Sequence, residues 1–469
     1  MAVPIGKTNP RALMPGRNAR KSGVFAVMML LSAMCAAASA QDSLAIRGAH
    51  IIPIEGDEIE SGTILIADGR ITDIGEELEI PVDAKVIDAA GKVVMPGIIN
   101  VHSSAGMSQS NEQNPIVPFL SVVDSIDPIR TFFEESRRLG VTTAAVVPGN
   151  NTMIGGRAAI VKTAGSYVDD MLVRRDSGLK ISLSPVSGSS RMSHIARLRK
   201  ELTEAREEIE AEKESPDKQE KDSADSKGEE EEEKDAEEEG DQEEEEQDED
   251  DSSDAADATS AQQATENERL EAYRKLLSGK MTAIIYCPTS MDVTQALSLI
   301  EEFELKPVLV LGRDCEESAE LLAKKKIPIV LDSTMVYWKT DPQTREDEQI
   351  VLTKTFSDAG VDFVFQFADS GTSLGPHYPS FQAATAVKFG MSREDALRKL
   401  TLDAARLLGV DNAVGSIEKG KDADLVILTG DPLDVTTWVE TTLVNGKVVY
   451  ERSEDPRIRR LFHPEEDAE

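Results

Sequence analysis

Two apolar runs separated by Pro96-Gly97 constrain this chain more than any other stretch. Val93-Val94-Met95 ends in that turn pair. Ile98-Ile99-Asn100-Val101 follows and delivers His102 at its end. The pattern reads as a turn feeding a buried strand whose last residues project polar side chains. Beyond it, apolar runs at 141–147, 158–162, 179–183, 282–286, 307–311, 327–331 and 363–367 read as short strands. Segments 129–139, 291–303, 315–325, 380–389 and 393–408 have helical spacing, the last capped by Ser392 with Asp395 three positions on. Strands alternating with helices predict an α/β fold, a (β/α)8 TIM-like barrel.

Both chain ends read differently. Residues 41–92 and 411–452 are short apolar runs punctuated by turn pairs such as Asp68-Gly69 and Asn445-Gly446. Neither piece buries much alone, so the expectation is one small β-sandwich domain built from both ends. The barrel then occupies 93–202 and 266–410, with an insertion at 203–265 and a tail at 453–469.

The motifs narrow this further. The run ending in Pro96-Gly97-Ile98-Ile99-Asn100-Val101-His102-Ser103-Ser104 resembles the first barrel strand of the amidohydrolase superfamily. Gly415-Ser416-Ile417 through Leu425-Val426, and Val444-Asn445-Gly446-Lys447-Val448, are similar to the strands that close many of its members. Residues 148–157, 190–200, 276–280 and 391–397 resemble an imidazolonepropionase-like bacterial branch. The resemblance implies hydrolysis of C–N bonds at the C-terminal mouth of the barrel, with one or two divalent metals such as zinc. It implies two histidines on the first strand, a carboxylate or carboxylated lysine in the middle, histidines on the fifth and sixth strands, and an aspartate on the eighth.

Placed on this chain, that set is depleted. His102 matches the first histidine, while Ser104 stands at the second position and Asn100 at the usual aspartate. Ser184 falls near the middle ligand. Tyr286 and Pro288 stand on the fifth strand, and Leu311 precedes Gly312 on the sixth. Asp369 fits the catalytic and metal-binding aspartate. A metal site needs three or four convergent ligands, and His102 with Asp369 supplies two. His377 and Cys287 are chemically able to complete a rebuilt site. Each also has a plain structural reading: a hydrogen-bonded barrel remnant, a loop cap, a packed loop residue and a small buried hydrophobe. Asn150, Asn151 and Arg157, in a glycine- and asparagine-rich loop, are candidates for binding an anionic group of a ligand.

The net charge of −36 is concentrated. Residues 201–260 hold 31 acids and 6 bases, leaving −11 for everything else. With almost no large apolar side chains, the insertion reads as a solvated, disordered spacer, although 197–214 is able to continue a helix. No basic face points to nucleic acid. Arg11, Arg17, Arg20 and Lys21, the apolar run 24–38 and Ala38-Ser39-Ala40 read as a secretory signal cleaved before Gln41. The expectation is an exported protein, periplasmic or extracellular, with no membrane attachment after cleavage. Two function classes follow: a non-hydrolytic small-molecule-binding protein, partnered by a catalytically intact paralogue or by its own copy, or a hydrolase of C–N bonds with an atypical site.

Overall fold

The computed structural model describes residues 43–214, 252–368 and 377–462. The expected leader, residues 215–251 of the insertion, Asp369 with the loop to residue 376, and residues 463–469 lie outside the described residues. Five strands come first: β1 (Ser43–Ile51), β2 (Ile59–Ala67), β3 (Arg70–Gly75), β4 (Lys85–Asp88) and β5 (Val93–Pro96). Asp68 and Gly69 close the β2–β3 hairpin with φ of 50° and 78°. This is the two-residue turn whose twist matches paired strands.

Pro96-Gly97 then hands the chain to β6 (Ile98–Ser103). The barrel sheet continues with β7 (Val141–Val146), β8 (Ile154–Lys162), β9 (Leu172–Ser182), β10 (Thr282–Thr289), β11 (Pro307–Asp314) and β12 (Ile329–Leu331). A separate hairpin of β13 (Val336–Thr340) and β14 (Asp347–Val351) precedes the last barrel strand, β15 (Val364–Phe365). The order is β6-β7-β8-β9-β10-β11-β12-β15. The regular (β/α)8 expectation needs correction here, because β8 runs antiparallel to both β7 and β9. The links 147–153 and 163–171 are shorter than the dozen or so residues a parallel crossover requires. Among the described residues no ladder joins β15 to β6, so the sheet is a nearly closed barrel.

The helices are α1 (Thr131–Arg138), α2 (Val168–Met171), α3 (Arg191–Glu214), α4 (Ser252–Leu277), α5 (Ser290–Phe303), α6 (Ala319–Ala323), α7 (Leu352–Asp358), α8 (Pro379–Lys388), α9 (Arg393–Leu400) and α10 (Leu402–Leu408). Strand alternation sorts the core into two layers. Leu179, Ile181, Ile285, Cys287, Leu309 and Leu311 face the helices. Val308, Val310, Val330 and Val364 face inward, against Val101, Ala145 and Ile160. The helix expected over 393–408 is two helices, broken at Thr401 (φ −130°, ψ −90°). The break turns α10 under the barrel, where Ala404 and Ala405 join the inner layer as its floor. Ser392 caps α9 as expected, its hydroxyl accepting from Asp395 N at 3.0 Å.

The insertion is smaller than its composition suggests. α3 continues to Glu214, and Leu198, Leu202, Ala205 and Ile209 form a buried stripe at helical spacing. Arg269 of α4 pairs with Glu201 and Glu208, and Arg274 with Glu212. Tyr273 OH also donates to Glu201 at 2.9 Å, so α3 and α4 pack side by side. α4 lies over β9, with Lys275 3.3 Å from Asp176. It covers sheet that the direct β7–β8–β9 links leave without helices. The expected spacer at 203–265 therefore gives up both its ends to helix.

The chain ends in β16 (Leu425–Leu428), β17 (Val439–Val444), β18 (Lys447–Glu451) and α11 (Pro456–Phe462). These strands join the first five in one sheet, β18-β17-β16-β5-β1-β2-β3, with β4 beside β1. Both ends thus build a common β unit, but as a single mixed sheet curled over Ile46, Ile64, Val94, Leu425 and Leu443, not as two separate layers. Its hairpin tips touch: a Cβ on Gly69 would lie 2.8 Å from Asn445 O, and one on Gly446 3.1 Å from Gly69 Cα. Buried Lys162 of β8 pairs with Asp424 at 2.8 Å and Asp422 at 2.9 Å. Asp424 also accepts from Asn445 N at 2.9 Å. The acids of the Lys421-Asp422-Ala423-Asp424 motif therefore fasten this unit to the barrel.

Candidate active-site mouth

Side chains at the C-terminal ends of parallel barrel strands gather at the mouth. β6 reaches it through a bulge. Its ladder steps from Asn100↔Ala144 to Ser103↔Val146, three residues against two. Such a bulge re-aims side chains: Val101 joins the inner core while His102 also turns into the lumen. Asn100 Oδ1 accepts from His102 N at 3.3 Å within the bulge. His102 Nε2 lies 2.9 Å from Lys180 Nζ of β9, and its Nδ1 lies 3.2 Å from the Gln366 side-chain amide. Gln366 follows β15, so this contact closes with side chains the seam the backbone leaves between β15 and β6.

Lys180 is fully buried, and no carboxylate pairs with it among the described residues. Burial brings its ammonium down to about 7. Burial, and then the charge of Lys180, holds His102 well below the usual imidazole range. A neutral imidazole offers one donor and one acceptor. With a neutral amine, Nε2–H donates to Nζ and the Gln366 amide donates to Nδ1. With an ammonium, Nζ donates to Nε2 and Nδ1–H requires the amide oxygen, which a flip of Gln366 supplies. The Tyr286 ring centroid lies 5.4 Å from Nζ. Burial, and then Asp332, pushes the Tyr286 hydroxyl up to about 12. Asp332, just past β12, is itself pushed up by burial and accepts from Thr334 N at 2.7 Å.

Among the described residues the donor set does not fit a metal. Among the described residues no three His, Cys, Asp or Glu side chains converge. His102 spends both ring nitrogens on nitrogen partners, and one of them is a lysine. Cys287 faces the helix layer, where burial pushes its thiol up, so it is no lumen ligand. Leu311 also faces outward, which leaves Gly312 as the mouth-side residue of β11. His377 Nδ1 donates to Ala368 O at 2.6 Å in its own loop. Asp369 lies outside the described residues.

The candidate binding loop is split by the fold. Asn150 O accepts from Ser182 Oγ at 2.6 Å, beside Lys180 on β9, and Asn150 Oδ1 is enclosed without a hydrogen-bond partner among the described residues. Asn151 is exposed, its N–H donating to Asn111 Oδ1 at 2.8 Å. Arg157 lies within β8 and directs its guanidinium to Asp176 at 3.1 Å and Phe119 O at 2.8 Å. Lys180, Gln366 and Asp332 are mouth residues that sequence reasoning passed over. A lysine between Leu179 and Ile181 in an apolar strand was the available signal.

Comparison with known proteins agrees with this architecture. The chain is 23% identical over 413 residues to Amidohydrolase tasK of Hapsidospora irregularis, covering 81% of this chain and 39% of that protein. It is 28% identical over 145 residues to an imidazolonepropionase of Clostridium tetani, 29% of this chain and 33% of that one. A 65-residue stretch is 43% identical to the 5'-deoxyadenosine deaminase of Methanosarcina mazei, 13% and 15% of the two chains. The chain thus spans well under half the length of these relatives. Among solved structures, an amidohydrolase from Thermotoga maritima MSB8 superposes with a TM-score of 0.68 at 24% identity, over 87% of this chain and 100% of that one. The model of the Amidohydrolase family matches residues 93–449, the whole barrel and much of the β unit. With that span matched, the chain belongs to the amidohydrolase family.

Proposed function

We propose that this chain is an exported member of the family whose mouth binds a small molecule without hydrolysing it, alone or beside a catalytically intact paralogue. The observation that carries the reading is the engagement of both His102 ring nitrogens by Lys180 and Gln366. Water activation by zinc needs several protein ligands around one open position. Here Tyr286 and Gly312 face the mouth where further ligands would be needed. The enclosed Asn150 Oδ1 is an acceptor that a bound donor would satisfy. Export rests on the n-region, the apolar run and Ala38-Ser39-Ala40.

The test is elemental analysis paired with hydrolysis assays on wild type, His102→Ala and Asp369→Ala. Protein recovered outside the cytoplasm should begin at Gln41 and lose zinc on mild dialysis. It should not cleave dipeptides, hydantoins or imidazolones, and Ser104→His should not restore cleavage. Near-stoichiometric zinc, with a rate that both alanine variants lose, overturns the reading. A second reading, a hydrolase of C–N bonds, is favoured by relatives named as deaminase and imidazolonepropionase. In it Asp369 takes the proton of the attacking water, so Asp369→Ala alone separates the two.

A further inference from the structure

The chain has three cysteines, and once Cys35 is set aside with the leader two remain. They lie 28 residues apart in sequence and side by side in the fold. Cys287 stands on β10 just past Tyr286, and Cys315 follows β11. The ladder sets Cys287 against Leu311 and Thr289 against Asp314, so Cys315 arrives beside the strand end that carries Cys287. Its thiol donates to Cys287 O at 3.2 Å, and the Gly312 N–H donates to its sulfur. Ser318 pins the backbone there, its N–H and its hydroxyl donating to Cys315 O at 3.0 and 2.6 Å. A Cβ on Gly312 would lie 2.6 Å from Pro288 O, so the two strand ends have no slack between them. Both cysteines are fully buried in the core on the helix side of the sheet, and both are thiols in this structure.

We propose that Cys287 and Cys315 are a cross-linking site, joined by a disulfide when the chain folds in an oxidising compartment. Only the supply of oxidant rests on the export reading; the pairing of the two thiols does not. A disulfide needs Cα atoms within about 7 Å and side chains that point toward one another. Here one sulfur already touches the carbonyl of the other residue, and both side chains leave the same face of the sheet. Rotation about χ1 then brings the sulfurs together. The oxidant is a low-molecular-weight disulfide such as oxidised glutathione. One cysteine gives up its proton and attacks that disulfide, releasing one small thiolate and leaving a mixed disulfide. The second cysteine, also deprotonated, attacks the protein sulfur of the mixed disulfide and expels the other small thiolate. One S–S bond forms in the protein and one breaks in the oxidant, which takes up the two electrons. The two protons pass through solvent to the released thiolates. Because both thiols are enclosed once the barrel has formed, exchange takes place during folding or in brief openings of the strand ends. The link ties the end of β10 that carries Tyr286 to the turn after Gly312, and so fixes two residues of the mouth.

The experiment equilibrates the full chain, carrying Cys35→Ser, with glutathione buffers of graded ratio. It is run in urea below the unfolding transition and again above it, starting from reduced and from oxidised protein. Acid quenching, unfolding and alkylation then count the free thiols by mass. The folded chain should reach a form that takes no label and is lighter by two hydrogens, and unreduced peptide mapping should join Cys287 to Cys315. Its equilibrium constant for oxidation should exceed that of the unfolded chain at least about tenfold, because a link compatible with the fold stabilises the folded state. Reductant should lower the melting temperature of the oxidised chain and leave those of Cys287→Ser and Cys315→Ser unmoved. A folded chain that stays doubly labelled at ratios that oxidise the unfolded chain overturns the proposal and makes the pair two inert core thiols. So does a link that forms more readily in the unfolded chain. Since the oxidant is added in the tube, a chain that is never exported leaves this test standing, and an exported chain with both thiols free sinks the proposal but not the export.

Discussion

Lys180 brings an amine into the barrel with no carboxylate beside it, an arrangement that desolvation makes costly. Lys180→Met keeps most of the volume and removes the polar atom. The cost of about 1–3 kcal/mol for leaving His102 Nε2 without a partner offsets part of the relieved desolvation, and the net change should be a gain in unfolding free energy. Urea unfolding at pH 7 measures this, and a loss of stability would mean that the contact with His102 outweighs the desolvation. The sequence told much about His102, because a histidine closing an apolar run after Pro-Gly has few places to go. It told little about Lys180. Reading β9 as starting at residue 179 put the middle ligand near Ser184, four residues past the lysine. The strand actually begins at Leu172, since β8 and β9 pair as antiparallel neighbours. Leu311 misled for a related reason: which alternate residues of a strand face inward depends on register, which the strand's own residues do not state.

His194 fastens α3 to β9, its Nε2 donating to Ser182 O at 2.9 Å. Burial holds its imidazole below the ordinary value of 6.5. The folded chain therefore keeps His194 neutral where the unfolded chain has begun to bind a proton. Its contribution is complete above pH 6.5 and falls as pH drops from there toward the folded value, by at most about 1.4 kcal/mol per unit. Wild type should exceed His194→Gln in unfolding free energy most at pH 7.5, and the gap should narrow by pH 5. A gap constant with pH would mean that His194 does not titrate differently on folding. The same element shows how composition and pattern compete. Averaged over 203–265, the acids predict disorder. The spacing of Leu198, Leu202, Ala205 and Ile209 says helix, and burial of that stripe decides the matter for its residues. At 393–408 the periodicity was legible but the break at Thr401 was not, because nothing local marks it: no proline or glycine interrupts that segment.

Across the whole molecule, the insertion separates into two packed helical ends and the segment between them. A Gly/Ser linker of about 20 residues replacing 215–251 should change stability by less than about 0.5 kcal/mol. Replacing all of 203–265 should destabilise, since it deletes buried Ala205 and Ile209. Thermal denaturation of the two variants ranks them, and equal melting points would mean that the end of α3 contributes nothing to the fold. The curled sheet has its own effect on the order of assembly. β5 pairs with β16, Pro96 against Leu425, and the turn at Gly69 rests on the turn at Asn445. A chain emerging N-terminus first must hold apolar β1 and β5 without their final neighbours until nearly its whole length has appeared. At ribosomal rates that wait is on the order of half a minute. During it, anything that keeps nascent strands from sticking to one another governs how much of this protein reaches its native state.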